Sequence, residues 1–144
     1  MTTQTAQDFA STLTLSGTPQ AALAALTTLD GLAAWWSPVT GSTAVGGELT
    51  FSFGEHGSNR VRVDAAGPDE VRWTVLDAEP APEWNGTTIA FGIEPLESGC
   101  ALHFRHHGLT PALECWDDCF SGWTYYLGSL ADHIDRGSGR PFSG

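Results

Sequence analysis

The feature that most constrains this chain is a long amphipathic segment near its C-terminal end. Thr110 and Pro111 supply an N-cap and a first helical residue, and Gly137 predicts where the helix ends. A helix over 111–136 would be about 39 Å long. Its large apolar residues recur at steps of three and four and form one stripe, made of Trp116, Phe120, Trp123, Leu127, Leu130 and Ile134. Such a stripe needs an extended apolar surface to cover it.

That surface is predicted by the segments before the helix, where apolar and polar residues alternate with a period of two. The residues assigned to the inner face are Leu49, Phe51, Phe53, Val61, Val63, Val71, Trp73, Val75, Ile89, Phe91, Ile93, Leu102, Phe104 and His106. Turn residues separate the segments, as expected for antiparallel hairpins. The pattern therefore predicts a meander of at least five strands with one apolar face.

The N-terminal part predicts one further strand and two short helices. Residues 9–15 are rich in β-forming types. Thr18 and Pro19 start a helix, and 32–36 add one or two helical turns before Pro38. The order predicts a single α+β domain over 1–144, in which a curved antiparallel sheet of about six strands surrounds the long helix.

Charge excludes two classes of partner. The chain has six arginines, no lysine and seventeen acidic residues, which give a formal net charge of −11. Nucleic acids and anionic membranes both select for basic surfaces, so neither is expected as a partner. No segment has the length and apolar character of a signal peptide or a membrane span, and the expected location is the cytoplasm.

Three stretches carry a family resemblance. They are Leu32–Pro38 with its paired Trp35-Trp36, the glycine-led Gly46–Phe51, and Gly122-Trp123 followed by Leu127, Leu130 and Ile134. With the order of elements, they resemble the START-like (SRPBCC) superfamily, and within it the small bacterial homologues of the Hsp90 ATPase activator. The resemblance implies a helix-grip fold with a deep pocket for apolar or amphipathic molecules, in a family that includes binders, cyclases, hydrolases and cochaperones.

Two segments depart from the pattern of that family. Residues 76–86 stand where the group commonly has a short strand connection, which predicts a loop at the rim of the pocket. Residues 115–119 replace the histidine or glutamate with which the helix often starts. The acidic single domain gives no independent sign of binding a chaperone.

A pocket between sheet and helix is expected because so many large rings are difficult to pack densely around one helix. We expect it to have a volume of about 300–1,000 Å³. The candidate lining residues are Trp36, Phe51, Phe53, Trp73, Trp84, Phe91, Phe104, His106, Trp116 and Cys119. His106 is the weak catalytic candidate, as a general acid or base, although a histidine hydrogen-bonded within the core is the more common case.

The cysteines allow a second kind of site. Cys115 and Cys119 lie one helical turn apart, and a zinc ion would need further ligands such as His106 and Cys100. The spacing differs from a zinc knuckle, so no metal and no cofactor are predicted. No phosphate-binding glycine loop and no nucleophilic serine motif are present.

The sequence thus predicts a noncatalytic binder of a hydrophobic or aromatic small molecule. A cyclase or hydrolase acting in the same pocket is the alternative, and interaction with a chaperone is a weaker one. The oligomeric state stays open, a homodimer included.

Overall fold

The alternating segments form one antiparallel sheet in the computed structural model, which describes residues 8–142. Seven strands are present in these residues: β1 (Phe9–Leu15), β2 (Val39–Gly41), β3 (Glu48–Ser52), β4 (Ser58–Ala66), β5 (Glu70–Ala78), β6 (Thr88–Pro95) and β7 (Cys100–His107). Their order across the sheet is β1-β7-β6-β5-β4-β3-β2. The expected α+β helix-grip architecture is confirmed, with one strand more than predicted, because β2 is a three-residue strand too short to show an alternation.

Two short helices follow β1, as the sequence predicts. The first, α1 (Pro19–Thr27), is capped by the Thr18 hydroxyl, which accepts a hydrogen bond from the Ala21 N–H at 3.0 Å. The second, α2 (Leu29–Trp35), is capped in the same way by Thr28. Both helices place apolar residues in the core.

The long helix α3 (Trp116–Arg136) begins five residues later than predicted. Residues 110–115 form turns, and the N–H groups of Glu114 and Cys115, just before the helix, are bonded to a carboxylate from another part of the chain, as described below. The predicted end is confirmed, since Gly137 adopts a left-handed conformation with φ of 72° and closes the helix. At 21 residues, α3 is about 31 Å long.

The inner face of the sheet and the stripe of α3 form the core. Nearly all the residues predicted to face inward are buried, and Trp123, Leu127 and Leu130 of α3 pack against them. Phe53 also packs against the core, although it lies just beyond β3 and is only half-buried. One expectation was wrong: Phe120 is 47% exposed and packs edge-on against Phe9 at the margin of the core.

The outer face of the sheet is polar. Arg60 pairs with Glu48 at 3.1 Å, and Arg72 pairs with Glu70 at 3.0 Å. The remaining arginines are also paired with carboxylates: Arg62 with Asp64, Arg105 with Asp8, and Arg136 and Arg140 with Asp132. The basic side chains are therefore neutralised, and the excess of carboxylates dominates the surface. Within residues 8–142, none of the helices combines the length and the apolar composition that a bilayer crossing requires.

Candidate functional site

Trp123 of α3 is the centre of an aromatic cluster between helix and sheet. Its ring stacks on Trp84, with centroids 5.5 Å apart and planes within 3° of each other. It also contacts Trp36 at 5.1 Å and Phe104 at 4.5 Å. These residues come from α3, the loop after β5, the end of α2 and β7. The cluster thus joins four separate parts of the chain.

His106 is held by hydrogen bonds on both ring nitrogens. The Trp123 Nε1–H donates to His106 Nδ1 at 3.0 Å. The other nitrogen, Nε2, lies 2.7 Å from the Thr87 hydroxyl, which in turn donates to the Trp84 carbonyl oxygen at 2.5 Å. Because Nδ1 accepts, the proton of the neutral ring is on Nε2, and each donor in this series of hydrogen bonds has an acceptor. We call these four residues the His106 chain.

Burial keeps His106 neutral. Its side chain is 0% exposed, and removal from water lowers its pKa from 6.5 to about 3. The nearby Asp8 opposes this effect and His107 adds to it. The structure therefore supports the interpretation that His106 is a histidine hydrogen-bonded within the core, because neither nitrogen is free to act on a ligand.

Beside the aromatic cluster lies a cavity of about 200 Å³. It is smaller than predicted, because the large rings pack against one another more densely than expected. Its lining residues come mostly from α3 and from the loop after β5. They are Trp36, Phe53, Asn59, Pro80, Ala81, Trp84, Asp118, Cys119, Gly122, Trp123 and Tyr126.

The cavity has an apolar wall and a polar mouth. Trp36, Trp84 and Trp123 are buried and form the wall, whereas Pro80 and Asp118 are exposed. Asp118 carries the formal charge of the lining, and no arginine or histidine of residues 8–142 contributes to it. The cavity therefore presents aromatic faces inside and a carboxylate at its opening.

Asn59 is the buried polar residue of this lining. It follows the inward alternation of β4, two residues before Val61, and is only 4% exposed. Its Oδ1 atom is buried and has no hydrogen-bond partner among residues 8–142. Nearly all buried polar atoms in proteins have such a partner, so this enclosed amide oxygen is an exception to the usual pattern.

The loop that carries Trp84 is tied to the start of α3 by Glu83. Its carboxylate accepts hydrogen bonds from the N–H groups of Cys115 at 2.9 Å and Glu114 at 3.2 Å. The N–H of Cys115 lowers the pKa of Glu83, and that of Glu114 adds to the effect. Glu83 thus ties the loop to the two residues just before α3 and holds the loop over the cavity, whereas the expected cap from Thr110 does not form.

The cysteines do not form a metal centre in the described part of the chain. No three side chains of histidine, cysteine, aspartate or glutamate in residues 8–142 converge on one point. Cys119 accepts a hydrogen bond from the Trp84 Nε1–H at 3.1 Å. Burial, together with a hydrogen bond to Cys119, raises the pKa of the Cys115 thiol to about 12, so this thiol stays protonated at neutral pH.

The structure places the ten predicted pocket residues in two groups. Trp36, Phe53, Trp84 and Cys119 line the cavity. The other six do not line it: Phe51, Trp73, Phe91 and Phe104 are buried in the packed core, His106 belongs to the His106 chain, and Trp116 packs against Phe9 and Phe120. The single aromatic-lined space expected between sheet and helix is thus largely filled by side chains.

Sequence reasoning missed several lining residues. Asn59 could have been found, because the period of β4 places it inward with Val61 and Val63. Gly122 and Tyr126 lie one turn from Cys119 and Trp123 on α3, but nothing in the sequence marks the side of the helix that borders a cavity. Pro80 and Ala81 line the cavity because of the path that their loop takes, and the periodicity of the sequence does not specify that path.

Comparison with known families agrees with this geometry. The family described as Activator of Hsp90 ATPase homolog 1-like protein matches residues 18–135, most of the chain. The chain belongs to this family. Its fold is that of the START-like group, as the sequence motifs suggested. No protein with a curated description matches the sequence.

Solved structures include several with the same fold. The Aha1 dimer from Colwellia psychrerythraea is 26% identical, with a TM-score of 0.80 over 92% of this chain and 99% of that one. A protein from Mesorhizobium loti is 21% identical, with a TM-score of 0.77 over 90% and 98%. DynU16, from the dynemicin biosynthetic locus, is 17% identical, with a TM-score of 0.71 over 90% of this chain and 48% of that one. The last two similarities establish the fold alone.

Proposed function

We propose that this protein binds a small aromatic or apolar molecule in the cavity beside Trp84 and Trp123. The observation that carries the proposal is the cavity itself, about 200 Å³ in volume and walled by Trp36, Trp84 and Trp123. Concave sites lined by aromatic side chains with a few polar groups are the usual form of small-molecule sites. The family's fold is compatible with this role.

The volume limits the size of the ligand. An engineered apolar cavity of about 150 Å³ accommodates benzene. A cavity of about 200 Å³ therefore suits one aromatic ring with a short substituent, and excludes complete burial of a multi-ring molecule. A ring of this kind buries at most about 150–250 Å², which at about 25 cal/mol per Å² gives at most about 4–6 kcal/mol, so a Kd of about 40 μM to 1 mM is the upper limit of affinity before the cost of association.

The binder is favoured over an enzyme of the cyclase or hydrolase type. The enzyme reading depends on His106 as the acid or base, and both nitrogens of His106 are bonded to Trp123 and Thr87. A general base must have a free nitrogen within hydrogen-bond distance of the substrate. The other polar side chains that line the cavity can contact a ligand. They do not form a nucleophile paired with a general base.

The test of this proposal uses Gly122, which lines the cavity from α3. A Cβ added there meets nothing within 4 Å, so a larger side chain would project into open space. Gly122→Leu should block binding and at the same time stabilise the helix by up to about 1 kcal/mol, since glycine is a poor helix former. Loss of binding in a more stable protein cannot be attributed to unfolding.

Binding is measured by titrating ethylbenzene and following the indole N–H signals in a ¹H–¹⁵N NMR spectrum. The signals of Trp84 and Trp123 should shift saturably in the wild type and stay fixed in Gly122→Leu. Gly128→Ala, on the same helix but outside the cavity lining, is the matched control and should bind as the wild type does. Equal shifts in Gly122→Leu and the wild type would reject the cavity as the site.

A second copy of this chain is the protein partner that the comparisons support. The similar protein from Colwellia psychrerythraea is described as a dimer. We extend this to the present chain as a homodimer, and sedimentation velocity over a range of concentrations would measure it. A single species of 15.3 kDa at all concentrations would reject it.

A further inference from the structure

We infer that the ligand of the cavity is a neutral aromatic molecule with a carbonyl group on a short substituent, and that its carbonyl oxygen accepts a hydrogen bond from Asn59 Nδ2. The inference rests on the proposed function and adds the chemical class of the ligand. It combines the orientation of one buried amide with the charge and the apolar character of the walls around it.

Asn59 presents a hydrogen-bond donor to the cavity. Its side chain is 4% exposed and belongs to the lining. The Oδ1 atom is enclosed by the protein, so the part of the amide that is open to the cavity is Nδ2, which is bonded to no acceptor among residues 8–142. An amide nitrogen of this kind has two N–H donors and no acceptor. A molecule in the cavity therefore pairs with Asn59 by supplying an acceptor.

The rest of the lining favours a neutral ligand. Asp118 carries its formal charge, and no arginine or histidine of residues 8–142 contributes to it. A carboxylate ligand would enter against Asp118 and would be buried without a cation to pair with. An ammonium group supplies donors alone, and the oxygen of Asn59 is closed to them. The acceptor that pairs with Nδ2 is therefore an uncharged oxygen.

A carbonyl group fits this environment better than a hydroxyl group does. Its oxygen has two lone pairs and no donor, so Nδ2 alone can satisfy it. A hydroxyl group also brings an O–H donor, which the enclosed Oδ1 of Asn59 cannot accept. The volume of about 200 Å³ accommodates one ring with a short substituent. The structure thus favours single-ring aromatic ketones, aldehydes and esters, with the ring against Trp84 and Trp123.

Tyr126 is a second donor in the lining and has to be separated from Asn59. It is half-buried, and burial raises the pKa of its phenol, so the hydroxyl is protonated at pH 7. A hydroxyl can also turn and bond to water at the opening of the cavity, whereas the Asn59 amide is held deeper in the protein. We therefore assign the hydrogen bond to Asn59 and use Tyr126 as the control.

The experiment compares four ligands that share one ring. They are acetophenone, ethylbenzene, 2-phenylethylamine and benzoate, which are respectively a neutral acceptor, a molecule without polar groups, a cationic donor and an anion. Their Kd values are measured by NMR titration at pH 7. We expect acetophenone to bind more tightly than either charged ligand. Tighter binding of 2-phenylethylamine or benzoate would overturn the assignment of a neutral ligand.

Two variants test the donor. Asn59→Leu keeps the approximate shape of the side chain and removes Nδ2, so acetophenone should bind about tenfold more weakly while ethylbenzene binds equally or more tightly. Comparing the effect of the variant on each ligand removes the difference in hydration between the two ligands. Tyr126→Phe removes only the hydroxyl and is the matched control, in which both affinities should stay within about twofold of the wild type.

The side-chain NH₂ signals of Asn59 give a direct readout that does not depend on any variant being stable. In a ¹H–¹⁵N spectrum of the wild type, acetophenone should move one of these proton signals downfield and saturably, and ethylbenzene should move it much less. Acetophenone that binds without moving them would overturn the hydrogen bond. A tenfold loss in Tyr126→Phe with none in Asn59→Leu would do the same, because the donor would then be Tyr126.

The outcomes distinguish this inference from the proposed function. If ethylbenzene and acetophenone both bind and Asn59→Leu changes the two affinities equally, the cavity binds aromatic molecules and the inference about the carbonyl oxygen is wrong. If neither of them binds, the proposed function fails and the inference fails with it.

Discussion

Thr87 controls the position of His106, although its hydroxyl lies outside the cavity lining. It links His106 Nε2 to the Trp84 carbonyl. Thr87→Val keeps the shape and removes both hydrogen bonds, so we expect a loss of about 1–3 kcal/mol in the free energy of unfolding, because a buried N–H is left without an acceptor. Urea denaturation measures it. Thr88→Val, at the neighbouring position of β6, is the control, and a loss below about 0.5 kcal/mol at Thr87 would contradict the His106 chain.

His106 also predicts a dependence of stability on pH. Its folded pKa, about 3, lies below the unfolded value of 6.5. Between these values the unfolded chain binds a proton that the folded protein does not, so stability falls as pH decreases through this range. At pH 5.5 the loss from this residue should be about 1.4 kcal/mol relative to pH 8.

The measurement compares His106→Gln with His107→Gln by urea denaturation at both pH values. Replacing the buried histidine should remove this part of the pH dependence, and replacing the exposed neighbour should retain it. If both variants show the same dependence as the wild type, His106 is not kept neutral by burial.

At the scale of single elements, α3 has one face in the core and one in solvent. Trp123→Ala should cost about 3–5 kcal/mol, because it leaves a cavity where four aromatic neighbours now meet. Phe120→Ala, on the same helix but 47% exposed, should cost about 1 kcal/mol or less. Thermal denaturation of both variants tests the assignment of the helix face, which similar losses for the two would contradict.

The segment just before α3 is held by Glu83 from the loop after β5. Glu83→Gln weakens the two hydrogen bonds to Cys115 and Glu114, so the amides of these residues should exchange with solvent faster, as measured by NMR hydrogen exchange. Because the folded pKa of Glu83 is lowered, its contribution is present above pH 4.5 and is lost as pH falls through the folded value. Glu114→Gln is the control, and unchanged exchange in Glu83→Gln would contradict the role of Glu83 in holding this segment.

The helices and strands show where sequence reasoning succeeded and where it stopped. Local signals, such as the cap at Thr18, the glycine at Gly137 and the alternation of β4, are physical properties of neighbouring residues and could be predicted. The start of α3 could not, because the two residues before it are held by Glu83, more than thirty residues away. Thr110 has the right residue type for a cap, but the chain turns there instead.

At the scale of the whole molecule, the sequence predicted the sheet, the helix over it and the burial of the rings, but not the location of the cavity. Burial of Trp73 and Phe91 follows from their own strands, whereas the space beside Trp84 depends on how the loop lies on α3. Periodicity tells which face is inward and does not tell whether two inward faces meet without a gap. The site is therefore a property of packing between distant segments.

Occupation of the cavity should stabilise the whole fold. A ligand that binds only the folded protein adds RT ln(1 + [L]/Kd), which is about 1.4 kcal/mol at a ligand concentration tenfold above Kd. For a chain of this length, that corresponds to a rise of about 3–6 °C in the melting temperature. Differential scanning calorimetry with ethylbenzene should show this rise in the wild type. Gly122→Leu should start from an equal or higher melting temperature and show no rise, because its side chain occupies the site. A rise of the same size in Gly122→Leu would mean that the ligand stabilises the fold from another site.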